Sequence, residues 1–299
     1  MSAKILDGKV VRDKIAGELK DKIAGFPVAP RLAIIYVGNN PDSAVYVNRK
    51  LALAKKIGAE AFVVDFQSLR LDLGSEERSG LSEHVSQDIL IAEIKKLNAD
   101  KTVHGIIIQS PLPFGLDWKA AVEMIAPEKD VDGVTSANLK LLEQNNPEGI
   151  IPATARGVLS LFKYYDIAIK GKKVVVMGRS HLVGRPIATL MSNLGGTVTV
   201  CHSQTVDPDK AAREADILIV AIGQSELVGA DYVKDGQVVI DVGINSVINS
   251  DGTRKIYGDV DFDSVKDIAA AISPVPGGVG PMTVVSLFQN LVSAFEKQK

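Results

Sequence analysis

The stretch Lys173-Val174-Val175-Val176-Met177-Gly178-Arg179-Ser180 decides the fold of this chain. Its apolar centre predicts a buried parallel strand, and the glycine that follows predicts a tight turn. A helix is predicted next, over residues 186–193, and apolar runs over 197–202, 216–222 and 238–242 predict three more strands. Because strands alternate with helices, this half of the chain is predicted to form a parallel sheet with a Rossmann-like rhythm.

The first half of the chain shows the same alternation. Apolar runs over residues 32–37, 61–66 and 103–109 predict strands. Helical periodicity over residues 10–24 and 89–97 predicts helices between and before them. A second parallel α/β unit is therefore expected.

A break rich in asparagine, proline and glycine at residues 145–149 separates these units, and a length of 299 residues suits two domains. We predict an α/β protein with an N-terminal α/β domain over residues 1–146 and a C-terminal Rossmann-like domain over 147–282. The last helix, residues 283–299, is expected to pack back on the first domain.

Composition narrows the possible functions. The net charge of -2 favours neither nucleic acid nor an acidic membrane surface as a partner. Cys201 is the single cysteine, so no disulfide within the chain and no thiolate zinc site is expected, and we predict no metal. The N-terminal residues lack the apolar core of a signal peptide, and no apolar run has the length of a membrane span. We therefore expect a cytoplasmic protein.

A candidate acid–base pair follows the strand at residues 32–37. Asp42 and Ser43 are expected to cap a helix on which Tyr46 and Lys50, four residues apart, share one face. A lysine beside apolar surface can lose its proton near neutral pH and act as a base. From these residues alone, an amphipathic helix with a solvated lysine is the simpler interpretation.

The turn after residues 173–177 has features of a phosphate-binding site. A strand, Gly178 and a helix N-terminus near Pro186 stand in the required order. The spacing from Gly178 to Gly184 is not that of the common dinucleotide fingerprint, so an ordinary strand–helix turn explains these residues equally well.

The end of the next strand bears on the choice of cofactor. It reads Cys201-His202-Ser203 and lacks the carboxylate with which NAD sites bind the adenosine ribose. Arg179 and Ser203 could bind a phosphate instead, which favours NADP over NAD. Arg179 as a surface residue and His202 as a turn residue remain open alternatives. Glycines that follow the strands over 216–222 and 238–242 lie where such sheets bind ligands, although ordinary tight turns explain them as well.

Five motifs stand in order along the chain. They are Tyr46-Val47-x-x-Lys50, Gln109-x-Pro111-Leu112-Pro113, Pro127-Glu128-Lys129-Asp130-Val131-Asp132-Gly133, Gly178-Arg179-Ser180-x-x-Val183-Gly184 and Pro274-Val275-Pro276-Gly277-Gly278-Val279-Gly280-Pro281-Met282-Thr283. This set closely resembles the methylenetetrahydrofolate dehydrogenase/cyclohydrolase family, over nearly the whole chain.

The resemblance implies two activities: NADP-dependent oxidation of 5,10-methylenetetrahydrofolate to the methenyl form, and hydrolysis of the methenyl form to 10-formyltetrahydrofolate. It also implies that residues 1–146 form the catalytic domain and residues 147–282 the NADP-binding domain. The protein is expected to be a homodimer that holds folate in a cleft between the two domains. By resemblance, Lys50 is the central catalytic residue, Gln109 orients it, Tyr46 positions the folate ring and Asp132 binds the pterin. Further folate contacts are expected from Ile108, Pro276, Gly277, Gly278, Val279 and Gly280. Cofactor contacts are expected from Gly178, Arg179, Ser180, Ser203, Gly223, Ile244 and Thr283.

The chain departs from the family pattern in three places. Ala153 and Ala155 stand in a stretch that commonly reads Pro-Cys-Thr-Pro, and Ser110 replaces the usual leucine beside Gln109. Residues 67–84 look like a surface insertion.

Three other functions are weighed against this one. A dehydrogenase that has lost the hydrolase step is disfavoured because Tyr46, Lys50 and Gln109 are all present. An oxidoreductase of the shikimate-dehydrogenase type leaves the loop over residues 274–283 unexplained. A non-catalytic NADP sensor predicts nucleotide binding without turnover.

Overall fold

A computed structural model describes residues 2–38, 40–64, 66, 85–248 and 254–298. The loop and insertion predicted over residues 67–84 lie outside the described residues. Two compact units are formed. The six-stranded unit contains Met1–Ile15, Leu141–Pro147 and Ile151–Ser286, and the three-stranded unit contains Ala16–Lys140, Glu148–Ile150 and Leu287–Lys299.

The three-stranded unit is built on a parallel sheet with the strand order β3-β2-β4. Its strands are β2 (Arg31–Ile35), β3 (Glu60–Val64) and β4 (Gly105–Ile108), and Ile34 pairs with both Val63 and Ile107. Its helices include α2 (Pro41–Ile57), α3 (Gln87–Ala99) and α4 (Trp118–Val122), while α1 (Gly8–Ala24) and α5 (Ser136–Glu143) span the unit boundary. Residues 32–35 of β2 and all of β4 are buried, which explains why these segments are apolar.

The N-terminus of α2 differs from the prediction. The helix begins at Pro41, and the Ser43 amide donates to Asn40 Oδ1 at 3.2 Å. Asn40 is therefore the capping residue, and Asp42 and Ser43 lie inside the first turn. Proline is favoured at the first helical position because its fixed φ suits the helix and its missing N–H has no partner there.

The six-stranded unit is built on an all-parallel sheet with the strand order β1-β11-β8-β7-β5-β6. The strands are β1 (Lys4–Ile5), β5 (Lys173–Met177), β6 (Thr197–Cys201), β7 (Ile217–Val220), β8 (Val238–Asp241) and β11 (Ala271–Ile272). The helices are α6 (Ala153–Tyr164), α7 (Gly184–Asn193), α8 (Pro208–Glu214) and α9 (Phe262–Val265), with a 3-10 turn at Ala230–Tyr232. The Rossmann-like rhythm predicted for this half is confirmed.

Several elements of this unit were not predicted. Strands β1 and β11 have two residues each, and β9 (Asn245–Ile248) and β10 (Arg254–Tyr257) form an antiparallel hairpin beyond β8. The structure groups residues 1–15 with this unit, because β1 pairs with β11, whereas the sequence predicted them in the first domain. Two-residue strands carry too little periodicity to be recognised before their partners are known.

The last helix, α10 (Val279–Lys297), begins four residues before its predicted start. Its C-terminal half belongs to the three-stranded unit, where Asn290 Nδ2 donates to the Val131 carbonyl at 2.8 Å and the Phe295 ring packs edge-on against His104 at 4.7 Å. Within the described parts of the chain, no helix is both long and apolar enough to cross a bilayer.

Candidate functional site

A lysine–glutamine pair lies at the carboxyl end of the three-stranded sheet. Lys50, on α2, donates from Nζ to Gln109 Oε1 at 2.8 Å, and Gln109 directly follows β4. Both side chains are half-buried. The carboxyl ends of parallel strands are where such folds place their ligands, so the pair lies in a position suited to chemistry.

Gln109 is held in place by hydrogen bonds from its backbone and from its side chain. Its backbone amide donates to the Ile35 carbonyl at 2.8 Å, and its Nε2 donates to the Ser110 carbonyl at 2.9 Å. The buried Ser43 hydroxyl donates to the same carbonyl at 3.1 Å. With Nε2 engaged in this way, the carbonyl end of the side chain is left facing the Lys50 amine, which fixes the direction of their hydrogen bond.

Lys50 and Asp132 each affect the pKa of the other. Burial lowers the pKa of Lys50, and the nearby Asp132 carboxylate opposes part of that effect. Burial raises the pKa of Asp132 to about 6, Asp130 adds to the rise, and Lys50 opposes it. The lysine amine is therefore easier to deprotonate than a free one, and Asp132 changes charge close to neutral pH. We call Lys50, Gln109, Asp132 and Tyr46 the lysine cluster.

Tyr46 is one helical turn before Lys50 and is half-buried. The Lys50 amine lies 6.0 Å from the centre of its ring, and the Arg49 guanidinium carbon lies 5.4 Å from it. The ring offers a flat surface beside the amine, which suits stacking against a planar ligand.

The residues before Asp132 are structural. Asp130 is fully buried, and its carboxylate accepts from the Gly133 amide, from the Thr135 amide and hydroxyl, and from Asn138 Nδ2, at 2.7–2.9 Å. Lys129 donates to three carbonyls at the end of α3, those of Leu97, Asn98 and Asp100. These bonds fix the segment from which the Asp132 side chain extends.

A second cluster lies at the carboxyl ends of β5 and β6. Gly178 has a φ of +113°, and a Cβ there would collide with the Ala221 carbonyl, while a Cβ on Gly184 would collide with the Gly178 carbonyl. Only glycine lets the three backbone segments approach so closely. The Ser180 hydroxyl accepts from the Gly184 amide at 3.2 Å, so it lies against the N-terminus of α7. The Ser180 carbonyl also accepts from the Arg185 amide at 3.0 Å, so Ser180 caps the first turn of α7.

Arg179 is held by a neutral partner. Its Nη2 donates to Gln204 Oε1 at 3.1 Å, and both side chains are exposed. Ser203 is exposed beside them, on a turn in which the His202 Nδ1 accepts from the Gln204 amide and the Thr205 hydroxyl accepts from the His202 amide. His202 is therefore a turn residue. Arg179, Ser203 and Gln204 present donors and no carboxylate, which fits a phosphate on the adenosine ribose. We call these residues, with Gly178 and Ser180, the arginine cluster.

The loops after β7 and β8 are joined by buried carboxylates. Asp259 is fully buried and accepts from the amides of Ile222, Gly223 and Gln224 and from Asn245 Nδ2. Burial raises the pKa of Asp241, which is 3% exposed, to about 7, even though three amides donate to its carboxylate. Gly223 and the exposed Ile244 lie on these loops.

The glycine-rich loop over residues 274–280 closes on itself. The Gly278 amide donates to the Pro274 carbonyl at 2.7 Å, and the Gly8 amide donates to the Gly277 carbonyl at 2.8 Å. Val279 and Gly280 are the first residues of α10, and the Thr283 hydroxyl donates to the Gly280 carbonyl at 2.9 Å. The structure thus places Pro276–Gly280 and Thr283 on one loop and helix start.

Two family models match the chain. The tetrahydrofolate dehydrogenase/cyclohydrolase catalytic domain matches residues 6–132, and the NAD(P)-binding domain of the same family matches residues 152–299. The chain belongs to the tetrahydrofolate dehydrogenase/cyclohydrolase family.

Individual relatives agree with this assignment. The chain is 44% identical over 300 residues to the bifunctional protein FolD of Ligilactobacillus salivarius, covering 99% of this chain and 98% of that protein. A FolD crystal structure from Campylobacter jejuni is similar over 100% of both chains, with 40% identity and a TM-score of 0.89. A Trypanosoma brucei FolD, solved with NADP cofactor and an inhibitor, has 36% identity and a TM-score of 0.87 over 99% of this chain and 98% of that one.

The family models and the relatives confirm the two predicted enzymatic activities. The protein is a bifunctional, NADP-dependent methylenetetrahydrofolate dehydrogenase and methenyltetrahydrofolate cyclohydrolase, an oxidoreductase and hydrolase of folate metabolism. The shikimate-dehydrogenase type and the non-catalytic sensor are therefore set aside.

The structure explains what the side chains at the three departing positions, Ala153, Ala155 and Ser110, do. Ala153 and Ala155 are buried in the first turn of α6, at 4% and 1% exposure, so both are small core residues. Ser110 has an exposed side chain, and only its carbonyl accepts from Gln109 and Ser43. The anchoring of Gln109 therefore does not depend on the side chain at position 110.

Sequence reasoning missed four residues that hold the candidate site residues or their loops in place. Ser43, Gln204, Asp241 and Asp259 all act through hydrogen bonds to groups distant in sequence. Asp259 stands in the stretch Gly258-Asp259-Val260-Asp261. Several aspartates near a glycine were the available signal, but such residues are common in ordinary turns.

Proposed function

We propose that Lys50 carries the cyclohydrolase step. The observation that supports this role is the 2.8 Å hydrogen bond from Lys50 Nζ to Gln109 Oε1, combined with burial that lowers the pKa of the lysine. Methenyltetrahydrofolate has an electrophilic carbon between two nitrogens. Water forms a C–O bond to that carbon, one C–N bond then breaks, and one proton is released overall.

The neutral amine of Lys50 has a lone pair that can accept the proton of the attacking water. One of its N–H groups is committed to Gln109, which leaves the lone pair directed away from that bond. The resulting ammonium then protonates the departing nitrogen. Gln109 is a positioning residue in this scheme, because it acts through the lysine.

Asp132 and Tyr46 are assigned to substrate binding. A carboxylate accepts two hydrogen bonds from the adjacent donors of an amino-pyrimidinone edge, and Asp132 is ionised above its pKa of about 6. The Tyr46 ring, 6.0 Å from the Lys50 amine, is assigned to stacking against the folate ring system. Ile108, Pro276, Gly277, Gly278, Val279 and Gly280 complete the proposed substrate contacts.

The dehydrogenase step needs orientation more than acid–base chemistry. Bound NADP supplies the acceptor for the hydride that leaves the one-carbon bridge, and the lone pairs of the two folate nitrogens drive its departure. Arg179 and Ser203 are assigned to the 2′-phosphate of the cofactor, and Gly178 and Ser180 to its pyrophosphate side. Gly223, Ile244 and Thr283 are the remaining proposed cofactor contacts.

The cellular form of the enzyme belongs to the same proposal. We expect a homodimer in the cytoplasm that acts on tetrahydrofolate derivatives and does not bind nucleic acid. Support comes from the family and from the near-neutral net charge of -2. Sedimentation of the purified chain across a concentration series tests the dimer, and a monomer at micromolar concentration would contradict it.

One assay tests both activities. The protein is mixed with NADP and methylenetetrahydrofolate, and the absorbances of NADPH and of the methenyl form are followed separately. NADPH formation without lasting accumulation of the methenyl form, after correction for spontaneous hydrolysis, is expected. Accumulation of the methenyl form at the uncatalysed hydrolysis rate would identify a dehydrogenase without cyclohydrolase activity, and absence of NADPH would overturn the proposal.

A further inference from the structure

A buried carboxylate lies behind the proposed cofactor loops. Asp259 has no exposed surface, and it accepts hydrogen bonds from three successive backbone amides: Ile222 at 2.7 Å, Gly223 at 2.9 Å and Gln224 at 2.9 Å. A fourth bond comes from Asn245 Nδ2 at 2.8 Å. One side chain thus binds the loop after β7 and the first residue of β9.

This carboxylate has no role in the chemistry assigned above. It is enclosed by protein, and its four donors among the described residues are neutral amides. Three consecutive amides directed at one carboxylate resemble an anion-binding nest that the protein fills itself. The arrangement fixes the backbone of residues 222–224 before any ligand arrives.

The position of Asp259 is itself fixed. The Asp241 carboxylate, at the end of β8, accepts from the Asp259 amide and the Val260 amide, each at 3.0 Å. The Val228 amide donates to the Asp259 carbonyl at 3.0 Å, and the Asp261 amide donates to the Val228 carbonyl at 2.9 Å. The carboxylate therefore extends from a backbone segment held on both sides.

The loop that Asp259 holds also touches the phosphate-binding turn. The Ala221 carbonyl, next to Ile222, lies so close to Gly178 that a Cβ on Gly178 would collide with it. The Ala221 amide donates to the Met177 carbonyl at 2.7 Å. A shift of residues 222–224 would therefore be transmitted to the turn that carries Gly178 and Arg179.

We propose that Asp259 is a positioning residue for NADP, one that holds the loops carrying Gly223 and Ile244 in their binding geometry. This inference rests on the proposed cofactor contacts. It assigns to Asp259 an effect on cofactor affinity, transmitted through the backbone, and no contact with the reacting atoms. The cyclohydrolase step consumes no cofactor and depends on the lysine cluster, so it serves as an internal reference.

The decisive variant is Asp259→Asn, which keeps the shape and removes the charge. Calorimetric titration with NADP is expected to show affinity weakened about tenfold or more, since bonds to a charged acceptor are the stronger kind. Hydrogen exchange of the cofactor-free protein is expected to show the amides of residues 222–224 protected in the parent and about tenfold faster in the variant. Hydrolysis of added methenyltetrahydrofolate without NADP is expected to be unchanged.

The matched control is Asp261→Asn. Asp261 lies two residues away and caps α9, where its carboxylate accepts from the Ser264 amide at 3.3 Å. It holds no cofactor loop, so NADP affinity is expected to equal that of the parent. Equal NADP affinity and equal exchange at residues 222–224 in the Asp259→Asn variant would overturn the inference.

A second variant decides the matter if Asp259→Asn does not fold. Asn245→Ala removes one of the four bonds, together with the 3.2 Å bond from Asn245 Nδ2 to the Gly258 carbonyl, and leaves the carboxylate in place. It is expected to weaken NADP binding several-fold and to speed exchange at residues 222–224, while cyclohydrolase activity is retained. Unchanged binding and exchange in a folded Asn245→Ala variant would overturn the inference. Absence of NADP binding by the parent protein would instead contradict the proposed function.

Discussion

Lys50 Nζ and Gln109 Oε1 are joined by a 2.8 Å hydrogen bond between two residues 59 positions apart in the chain. Lys50 lies on α2, and Gln109 directly follows β4. Strand β2, which precedes α2 in the chain, pairs in parallel with β4. The bond fixes the orientation of the Lys50 amine. Burial lowers the pKa of this amine. Removing either partner should therefore affect proton transfer more than folding.

Lys50→Met is expected to abolish the cyclohydrolase step and to retain dehydrogenase activity within about tenfold, because only hydrolysis needs a proton acceptor. The two rates are measured separately, from methenyl disappearance and from NADPH formation. Lys55→Met, an exposed lysine on the same helix, is the matched control and should retain both activities. Hydrolysis at the parent rate in Lys50→Met would refute the role of the lysine.

Asp132 is expected to impose a pH dependence on substrate binding. Its pKa is raised by burial from 3.8 to about 6, so the carboxylate is ionised above pH 6 and protonated below it. The KM for methylenetetrahydrofolate should be flat above pH 6 and rise as the pH falls below 6, by up to about tenfold per pH unit. Asp132→Asn should have a raised KM with no such dependence, and Asp88→Asn should behave as the parent.

The same shift has a consequence for folding. A carboxyl group whose pKa is higher in the folded state than in the unfolded state favours folding most when it is protonated in both states. The contribution of Asp132 to stability is therefore greatest below pH 3.8 and is lost as the pH rises through about 6. Unfolding midpoints of parent and Asp132→Asn proteins should differ more at pH 8 than at pH 4. A constant difference across this range would contradict the assigned shift.

Arg179 and Gln204 are expected to set the choice of cofactor together. Arg179→Ala should lose the preference for NADP over NAD, measured as the ratio of kcat/KM values. Gln204→Glu should lower that ratio as well, because a carboxylate 3.1 Å from the guanidinium would pair with it and repel the 2′-phosphate. Arg213→Ala, which alters an exposed pair with Asp209, is the control. An unaltered ratio in Arg179→Ala would show that the phosphate is bound elsewhere.

Lys129→Met is expected to lower stability without a specific loss of either activity. The buried ammonium donates to three carbonyls at the end of α3, and its removal leaves those carbonyls without a charged donor. The free energy of unfolding should fall by about 3 kcal/mol, as for other buried, hydrogen-bonded charges. Denaturant unfolding measures this change. Lys95→Met, an exposed lysine on α3, should change it by less than about 0.5 kcal/mol.

The strands and most helices could be predicted from the sequence, because burial determines which residue types occur along a segment. A parallel strand covered on both faces, such as residues 173–177, must be apolar throughout, and the helices between strands keep a period of 3.6 residues. Asn40 at the start of α2 was missed, because Pro41, Asp42 and Ser43 offered competing signals within three residues.

The short strands β1 and β11 could not be predicted from local sequence patterns. Each has two residues, and each exists because a partner distant in sequence completes its hydrogen bonds. The grouping of residues 1–15 with the six-stranded unit depends on that pairing, and no local pattern specifies it.

The sequence by itself determined the α/β class, the two parallel sheets, the family and the candidate residues Lys50, Gln109 and Asp132, because these depend on residue type and order. Only the tertiary structure decided which polar groups meet. It joined Lys50 to Gln109, made Asp130 a structural residue two positions before Asp132, and placed Asp259 against the amides of residues 222–224. Hydrogen bonds and pKa shifts arise from distance and burial, and those exist only once the chain is folded.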